Sequence, residues 1–355
     1  MSTDVALIYG GRSVEHDWSV AMLENTMHTV KNNRTHDFSI RKVLYISLDG
    51  ELVIYDVDGN FSHEDILRDG ERTNIQKIGE ILTSLDCFVF SLLQGRDGED
   101  GTIQGVGALL EVPSSFGSIA GAAMSQDKAL MSELAAAVCK DLKKIPYLRL
   151  PTSSPEGVVQ AINERFGSGE IVVKPNSLGG SFCTRRFLAS DHRLIAEHVR
   201  TTSYFDRFCL GQQMIHGKEV ACGVIVQNGE PTALPPAWIR TEHGFLGSEE
   251  KKRTNGFAVD FELEDCFALR LRNIAEKVAR SSRVDNFCRM DFIIDDEGQI
   301  FFLENNILPG LTRGNIFPQM LQQVGMSISD LIKICICNQK DVQAQAPYRV
   351  SNDGS

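Results

Sequence analysis

The stretch Arg289-Met290-Asp291-Phe292-Ile293-Ile294-Asp295-Asp296-Glu297-Gly298-Gln299-Ile300-Phe301-Phe302-Leu303-Glu304-Asn305-Asn306 decides how the chain is read. Two apolar runs, residues 291–294 and 300–303, flank an acidic turn containing Gly298, which is the pattern of a β-hairpin. A two- or four-residue loop puts Asp291 directly opposite Glu304; a three-residue loop slips the register and sends them to opposite faces. Asn306 lies two residues beyond Glu304 and shares its face, with Arg289 near it across the ladder. Three oxygen ligands then converge. Carboxylate and amide oxygens suit Mg²⁺, which usually also takes substrate phosphate oxygens. A polar strand face wetted by solvent has the same spacing, and spacing alone does not separate the two.

The remaining composition sets outer limits. At 355 residues the chain exceeds one typical core, so two or three domains are expected. A hydrophobic fraction of 42% is that of a globular protein. No apolar run approaches a membrane span, and the N-terminus lacks a basic region followed by an apolar core, so a cytoplasmic protein without a membrane partner is expected. A net charge of −11 speaks against nucleic acid as a partner. The nine cysteines are scattered and odd in number, which reads as buried reduced thiols.

Taken from the N-terminus, residues 5–9 form an apolar strand ending at Gly10-Gly11-Arg12-Ser13, and residues 14–30 have helical spacing. Strand, glycine turn and helix open an α/β domain, and ligands sit at such strand ends. Glu15 is either a favourable acid in a first helical turn or a grip for a substrate ammonium. Residues 43–46 and 87–92 read as strands. The glycine-rich acidic loop 94–101 precedes a helix from about Thr102. The small residues 117–121 read as a linker, followed by a helix over 126–142 with Lys128 in its first turn, where a cation opposes the helix dipole.

The strand 171–175 carries Lys174 and leads into Asn176-Ser177-Leu178-Gly179-Gly180-Ser181, a loop rich in backbone donors that can cradle phosphate. Residues 211–217 read as a linker into a strand over 219–227. The long polar segment 241–255 has the length of an active-site lid or of a solvated loop. An amphipathic helix over 263–284 leads to the hairpin. Residues 316–324 and 327–337 look helical, and 338–355 read as a frayed polar tail.

The order of these motifs is more specific than any one of them. Gly10-Gly11-Arg12-Ser13-Val14-Glu15-His16, Gly98-Glu99-Asp100-Gly101-Thr102-Ile103-Gln104-Gly105, Asp127-Lys128, Val173-Lys174-Pro175, Lys218-Glu219, Arg289-Met290-Asp291-Phe292 and Leu303-Glu304-Asn305-Asn306 with Pro309-Gly310-Leu311-Thr312 together resemble the D-alanine–D-alanine ligases of the ATP-grasp superfamily, over roughly residues 4–337. The resemblance implies an ATP-grasp fold, α/β overall and α+β in the ATP-grasp part. A Rossmann-like α/β domain would span 1–120, a central domain 121–210, and a C-terminal domain with the metal site 211–340, before a tail at 341–355. It implies that Lys128, Lys174 and the loop at Gly180 and Ser181 meet the phosphates of ATP. The backbone at Met214 and Ile215 would meet adenine, and Glu219 the ribose. Asp291, Glu304 and Asn306 would hold two Mg²⁺ ions. Arg289 and the Gly310 backbone would stabilise the tetrahedral intermediate, Glu15 would bind the first amino acid's ammonium, and Lys251 would be the lysine of a mobile loop. Family members are commonly dimers, so a homodimer is expected.

Several substrate positions depart from the family. Its phosphate loop usually reads Gly-Ser-Ser-x-Gly, and here it is Gly179-Gly180-Ser181-Phe182-Cys183. Gly180 replaces the serine that helps position the first amino acid, which is expected to open space beside Glu15. Lys252 replaces a tyrosine with a flexible cation able to pair with Glu15 or with an acidic substrate. Asn315 replaces the serine that binds the second substrate's carboxylate, Gln94 a histidine, and Gln212 a glutamate near the hinge. The expected activity is an ATP-dependent carboxylate–amine ligase working through an acyl phosphate on amino-acid-like substrates other than a pair of D-alanines. A first substrate larger or more acidic than alanine would suit these changes. True D-alanine–D-alanine ligation is the alternative. A catalytically lost ATP-binding regulator is the second, and the intact Lys128, Lys174, Asp291, Glu304, Asn306 and Arg289 argue against it.

Overall fold

A computed structural model describes residues 2–32, 37–241 and 257–345. The first five strands are β1 (Thr3–Gly10), β2 (Phe38–Ile46), β3 (Glu51–Asp56), β4 (Glu71–Asn74) and β5 (Phe88–Ser91), and they form one sheet in the order β4-β3-β2-β1-β5. β1 is apolar from Val5 to Tyr9 because both its faces are covered, as a central parallel strand requires. It pairs in parallel with β2 on one side and β5 on the other. The crevice beyond the carboxyl ends of β1 and β5 is therefore a topological switch point, where α/β sheets take their ligands. The helix His16–Asn32 starts there.

β6 (Leu142–Lys143) belongs to the third sheet. β7 (Tyr147–Pro151), β8 (Glu170–Pro175), β9 (Arg185–Leu188) and β10 (Phe208–Gln213) form an antiparallel sheet in the order β7-β10-β8-β9. The helices Pro155–Phe166 and His192–Thr202 close one face of it over Val158, Ile162, Ile195 and Val199.

The third sheet contains β11 (Lys218–Gln227), β12 (Glu230–Ala233), β13 (Ala237–Thr241), β14 (Phe257–Asp260), β15 (Phe287–Ile294) and β16 (Ile300–Asn306), with β6 on the far side of β16. β11 alternates strictly. Val220, Cys222 and Val224 face the helices Lys128–Val138 and Asp265–Ser281, while Ala221 and Ile225 face a core that includes Phe317 and Leu331. That second core also takes in Leu23 and Met27 of the helix His16–Asn32, tying the first sheet to the third through the helices Ile316–Gln323 and Ile328–Gln345.

The hairpin reaches the expected pairing by an unexpected route. Ile294 pairs with Ile300, so residues 295–299 make a five-residue loop, whose register alone would set Asp291 against Leu303. A bulge between Asp291 and Phe292 leaves Leu303 unpaired and brings Asp291 opposite Glu304 and Arg289 opposite Asn306.

Four local expectations change. Residues 119–126 are a helix, Ile119–Gln126, and Asp127 ends it and caps the next, its Oδ1 accepting from Leu130 N at 3.0 Å. Residues 211–213 belong to β10 rather than to a linker. The last helix continues to Gln345, held at Asn338, whose Nδ2 donates to Val226 O at 2.8 Å. Cys266 and Cys337 are exposed, although Cys139, Cys209, Cys222, Cys288 and Cys335 are buried as expected. Among the described residues, no single helix is long and apolar enough to cross a membrane.

Candidate active site

The hairpin face is polar but not solvated. Arg289 and Asp291 are buried, and the guanidinium donates twice to the carboxylate, Nε to Oδ1 at 2.8 Å and Nη2 to Oδ2 at 2.7 Å. Asn306 Nδ2 donates to Asp291 Oδ2 at 3.3 Å, and Lys128 Nζ lies 3.3 Å from Glu304 Oε2. Burial opposes the charge on Arg289, but Asp291, with Glu304 and Glu99, more than offsets it, so the guanidinium pKa lies above its ordinary value.

Two clefts meet at this face. One lies between the second and third sheets. Ile145, Val172, Ile293 and Leu303 give it apolar walls, and Lys128, Lys174, Glu219, Asp291 and Glu304 supply charge. Met214 and Ile215, in the link from β10 to β11, edge the same cleft. Lys128 is turned into it because its Nζ donates to Leu178 O at 2.6 Å, across from its own helix start. The loop 179–183 is wound tightly, with Gly180, Ser181 and Cys183 at φ of 62°, 57° and 51°. This left-handed backbone suits the glycine expected at the last position better than it suits Cys183.

The other pocket lies on the switch-point side of the hairpin and is lined by Glu15, Trp18, Gln94, Glu99, Gly180, Arg289, Asn306, Gly310 and Asn315. Ser181 faces the first cleft and Gly180 the second, so one loop divides them. Glu99 is buried, and both its oxygens accept from backbone, Oε2 from Gly95 N at 2.6 Å and Oε1 from Leu308 N at 3.1 Å. Burial first, and then the charge of Glu15, pushes its carboxyl up to about 8. Gln94 Nε2 donates to Leu308 O at 3.1 Å, while its buried Oε1 has no partner among the described residues. Asn315 precedes the helix Ile316–Gln323 without capping it through its side chain. Its amide is turned instead toward Gly310, where an added Cβ would lie 2.4 Å from Nδ2.

Sequence families agree with this geometry. The family described as D-ala D-ala ligase N-terminus matches residues 4–115, and that described as D-ala D-ala ligase C-terminus matches residues 146–337. The chain belongs to the D-alanine–D-alanine ligase family. The D-alanine–D-alanine ligase of Staphylococcus epidermidis is 26% identical over 341 residues, covering 93% of this chain and 92% of that protein. The structure of the D-alanine–D-alanine ligase from Coxiella burnetii superposes with a TM-score of 0.76 at 19% identity, covering 97% of each chain. The VanG D-Ala:D-Ser ligase from Enterococcus faecalis superposes with a TM-score of 0.74 at 20% identity, covering 96% of this chain and 100% of that one. Identities this low establish the fold, which is ATP-grasp, and family membership makes the chain a ligase forming carbon–nitrogen bonds.

The ligase brings Asp291, Glu304, Asn306, Arg289 and Lys128 together at the hairpin, and Glu15, Gly180, Gly310 and Asn315 around the second pocket. Lys251 and Lys252 lie outside the described residues, as does segment 242–256. Its flanks are described: Thr241 pairs with Phe257, which packs beside the core of the third sheet and lines the second pocket. One expectation is overturned. Gly180 does not open space beside Glu15, because the indole of Trp18 already fills it. Trp18 carries no motif in the sequence. Its only signal is a place three residues after Glu15, on the same helical face.

Proposed function

We propose that this ligase uses ATP with Mg²⁺ to turn one amino acid's carboxylate into an acyl phosphate and joins it to the amine of a second amino acid other than D-alanine, releasing ADP and phosphate. The observation that carries this reading is the hairpin face, which turns Asp291 and Glu304 to one cleft and Arg289 and Asn306 to the other. In the first cleft the apolar walls accept adenine, with the backbone at Met214 and Ile215 at its edge and Glu219 at the ribose. Lys128, Lys174 and the amides near Ser181 meet the phosphates. Asp291, Glu304 and Asn306 are hard oxygen donors brought side by side by the bulged register, and that donor set fits Mg²⁺. The metal would supply neutralisation of phosphate charge.

In the second pocket Glu15 holds the ammonium of the first amino acid. Its carboxylate oxygen attacks the terminal phosphorus, and the bond to the ADP oxygen breaks. The second amine, having lost a proton, then attacks the acyl carbon, and phosphate leaves. Arg289 and the Gly310 backbone offset the oxyanion formed between these events. The Asn315 amide against Gly310 supports a second amino acid that hydrogen-bonds more than D-alanine can. By family analogy the enzyme works in the cytoplasm as a homodimer. A screen of amino-acid pairs with ¹⁸O-labelled first carboxylate tests the reading. Label is expected in released phosphate, with ADP as coproduct. Accumulation of AMP, or D-alanine as the best second substrate, would overturn the mechanism or the specificity respectively.

A further inference from the structure

The loop holding Gly180 comes from the second sheet, and the helix start holding Glu15 and Trp18 comes from the first, some 160 residues earlier. They meet tightly. A Cβ built on Gly179 would lie 2.6 Å from Glu15 Oε1. One built on Gly180 would lie 2.5 Å from Cζ3 and 2.7 Å from Cη2 of Trp18, and 3.5 Å from Glu15 Oε1. Carbon atoms not bonded to each other rest at about 3.5–4.0 Å, so no side chain fits at residue 180 while the indole is there. The helix that carries the indole is pinned at Ser19, whose Oγ accepts from Gly10 N at 2.8 Å, and at Asn25, whose Nδ2 donates to Leu311 O at 2.6 Å.

We propose that Trp18 and Gly180 are one specificity-determining pair, in which the indole fills the room beside Glu15 and restricts the first substrate to amino acids with small side chains. This rests on the function proposed above and names the first-substrate class for it. A long or branched side chain at the same place has to displace the ring.

The test has two parts. Wild type and Trp18→Val are each given equimolar D-alanine and D-leucine with ATP and excess D-serine as a hydrogen-bonding second amino acid, and the residue at the amino end of the product is read by fragmentation mass spectrometry. Wild type is expected to place D-alanine there, and Trp18→Val to lower the alanine-to-leucine ratio by at least about 10-fold, the scale of a few methylenes in a fitted pocket. An unchanged ratio overturns the proposal. The second part needs no turnover. Urea midpoints are compared for wild type, Gly180→Ala, Trp18→Val and the double variant. The backbone strain of a residue at φ 62° is common to both arms of the cycle, so the coupling isolates the contact. Gly180→Ala is expected to lower the midpoint markedly in wild type and much less in the Trp18→Val background. Equal effects in both backgrounds overturn the pairing. If no amino-acid pair releases phosphate, the proposed function fails by itself, and titration of wild type and Trp18→Val with D-alanine and D-leucine still decides the size restriction. Equal relative affinities in the two proteins would sink it.

Discussion

The Arg289 guanidinium grips the Asp291 carboxylate with two parallel hydrogen bonds, 2.8 and 2.7 Å, on neighbouring positions of one strand face, and both side chains are only 10% exposed. Two residues apart on β15, they are pointed the same way by the strand's period. A buried pair of this kind is costly to break from one side, because the survivor keeps an uncompensated charge. Asp291→Ala is therefore expected to destabilise the ligase by about 3–5 kcal/mol. The double variant Arg289→Met/Asp291→Leu is expected to lose less than that single variant. Denaturant unfolding of the two measures it, and a double variant less stable than the single one would contradict the account.

Glu304 tests the metal assignment separately from the fold. It is half-buried, with Lys128 Nζ 3.3 Å away, and Gln keeps its shape while removing its charge. Glu304→Gln is expected to lower kcat by about 10²-fold or more, the scale seen when one preorganised electrostatic contact to the transition state is lost. Its melting temperature should stay close to that of wild type. A kcat near wild type at saturating Mg²⁺ would leave the hairpin as a structural feature only.

Glu99 sets a pH dependence whose sign is fixed. Its carboxyl sits at about 8 in the folded state against an ordinary 4.5, raised by burial and by Glu15 and pulled back by the amides of Gly95 and Leu308 and by Lys128. Between these values the folded chain holds a proton that the unfolded chain has lost. The contribution of Glu99 to stability is therefore full below about pH 4.5, falls as pH rises toward 8, and is level above that. Glu99→Gln should flatten this part of the profile. Urea midpoints of both proteins from pH 5 to about 8.5 are the measurement, and parallel profiles would refute the assignment.

Cys183 carries avoidable strain. At φ 51° it occupies left-handed backbone that costs an L-residue roughly 1–2 kcal/mol, and the family loop has glycine there. Replacing it by glycine also frees the unfolded chain, which returns part of the gain. Cys183→Gly is expected to stabilise the protein by about 0.5–1 kcal/mol. Cys183 O would still accept from His198 Nε2, now 2.9 Å away, because that contact is to backbone. Equilibrium unfolding checks the sign.

What was legible in the sequence followed from local rules. β1 and β5 are apolar runs, and the glycine turn after β1 marks the ligand edge of the sheet, so Glu15 is legible near a site from the sequence alone. The pairing of Asp291 with Glu304 was legible as an outcome but not in its means, since a bulge at Leu303 compensates a loop of the wrong parity, and a bulge leaves no mark in an alternating apolar pattern. Asp127 falls at the start of the helix expected over 126–142, and only its cap to Leu130 shows that one helix ends and another begins there.

The sequence by itself determined the family, through the order of its motifs, and the residue types at the hairpin, through spacing, because both are read along one chain. Only the tertiary structure decided what stands beside Glu15. Gly180, read alone, is an absence of side chain and so suggests room; Trp18, read alone, is an unremarked aromatic in a helix. The first sheet's strand end and the second sheet's loop bring them within van der Waals distance, and the space that one residue gives up is taken by the other. Excluded volume is a property of packed atoms rather than of sequence order, so which of two distant residues fills a pocket is settled only when the sheets that carry them are in place.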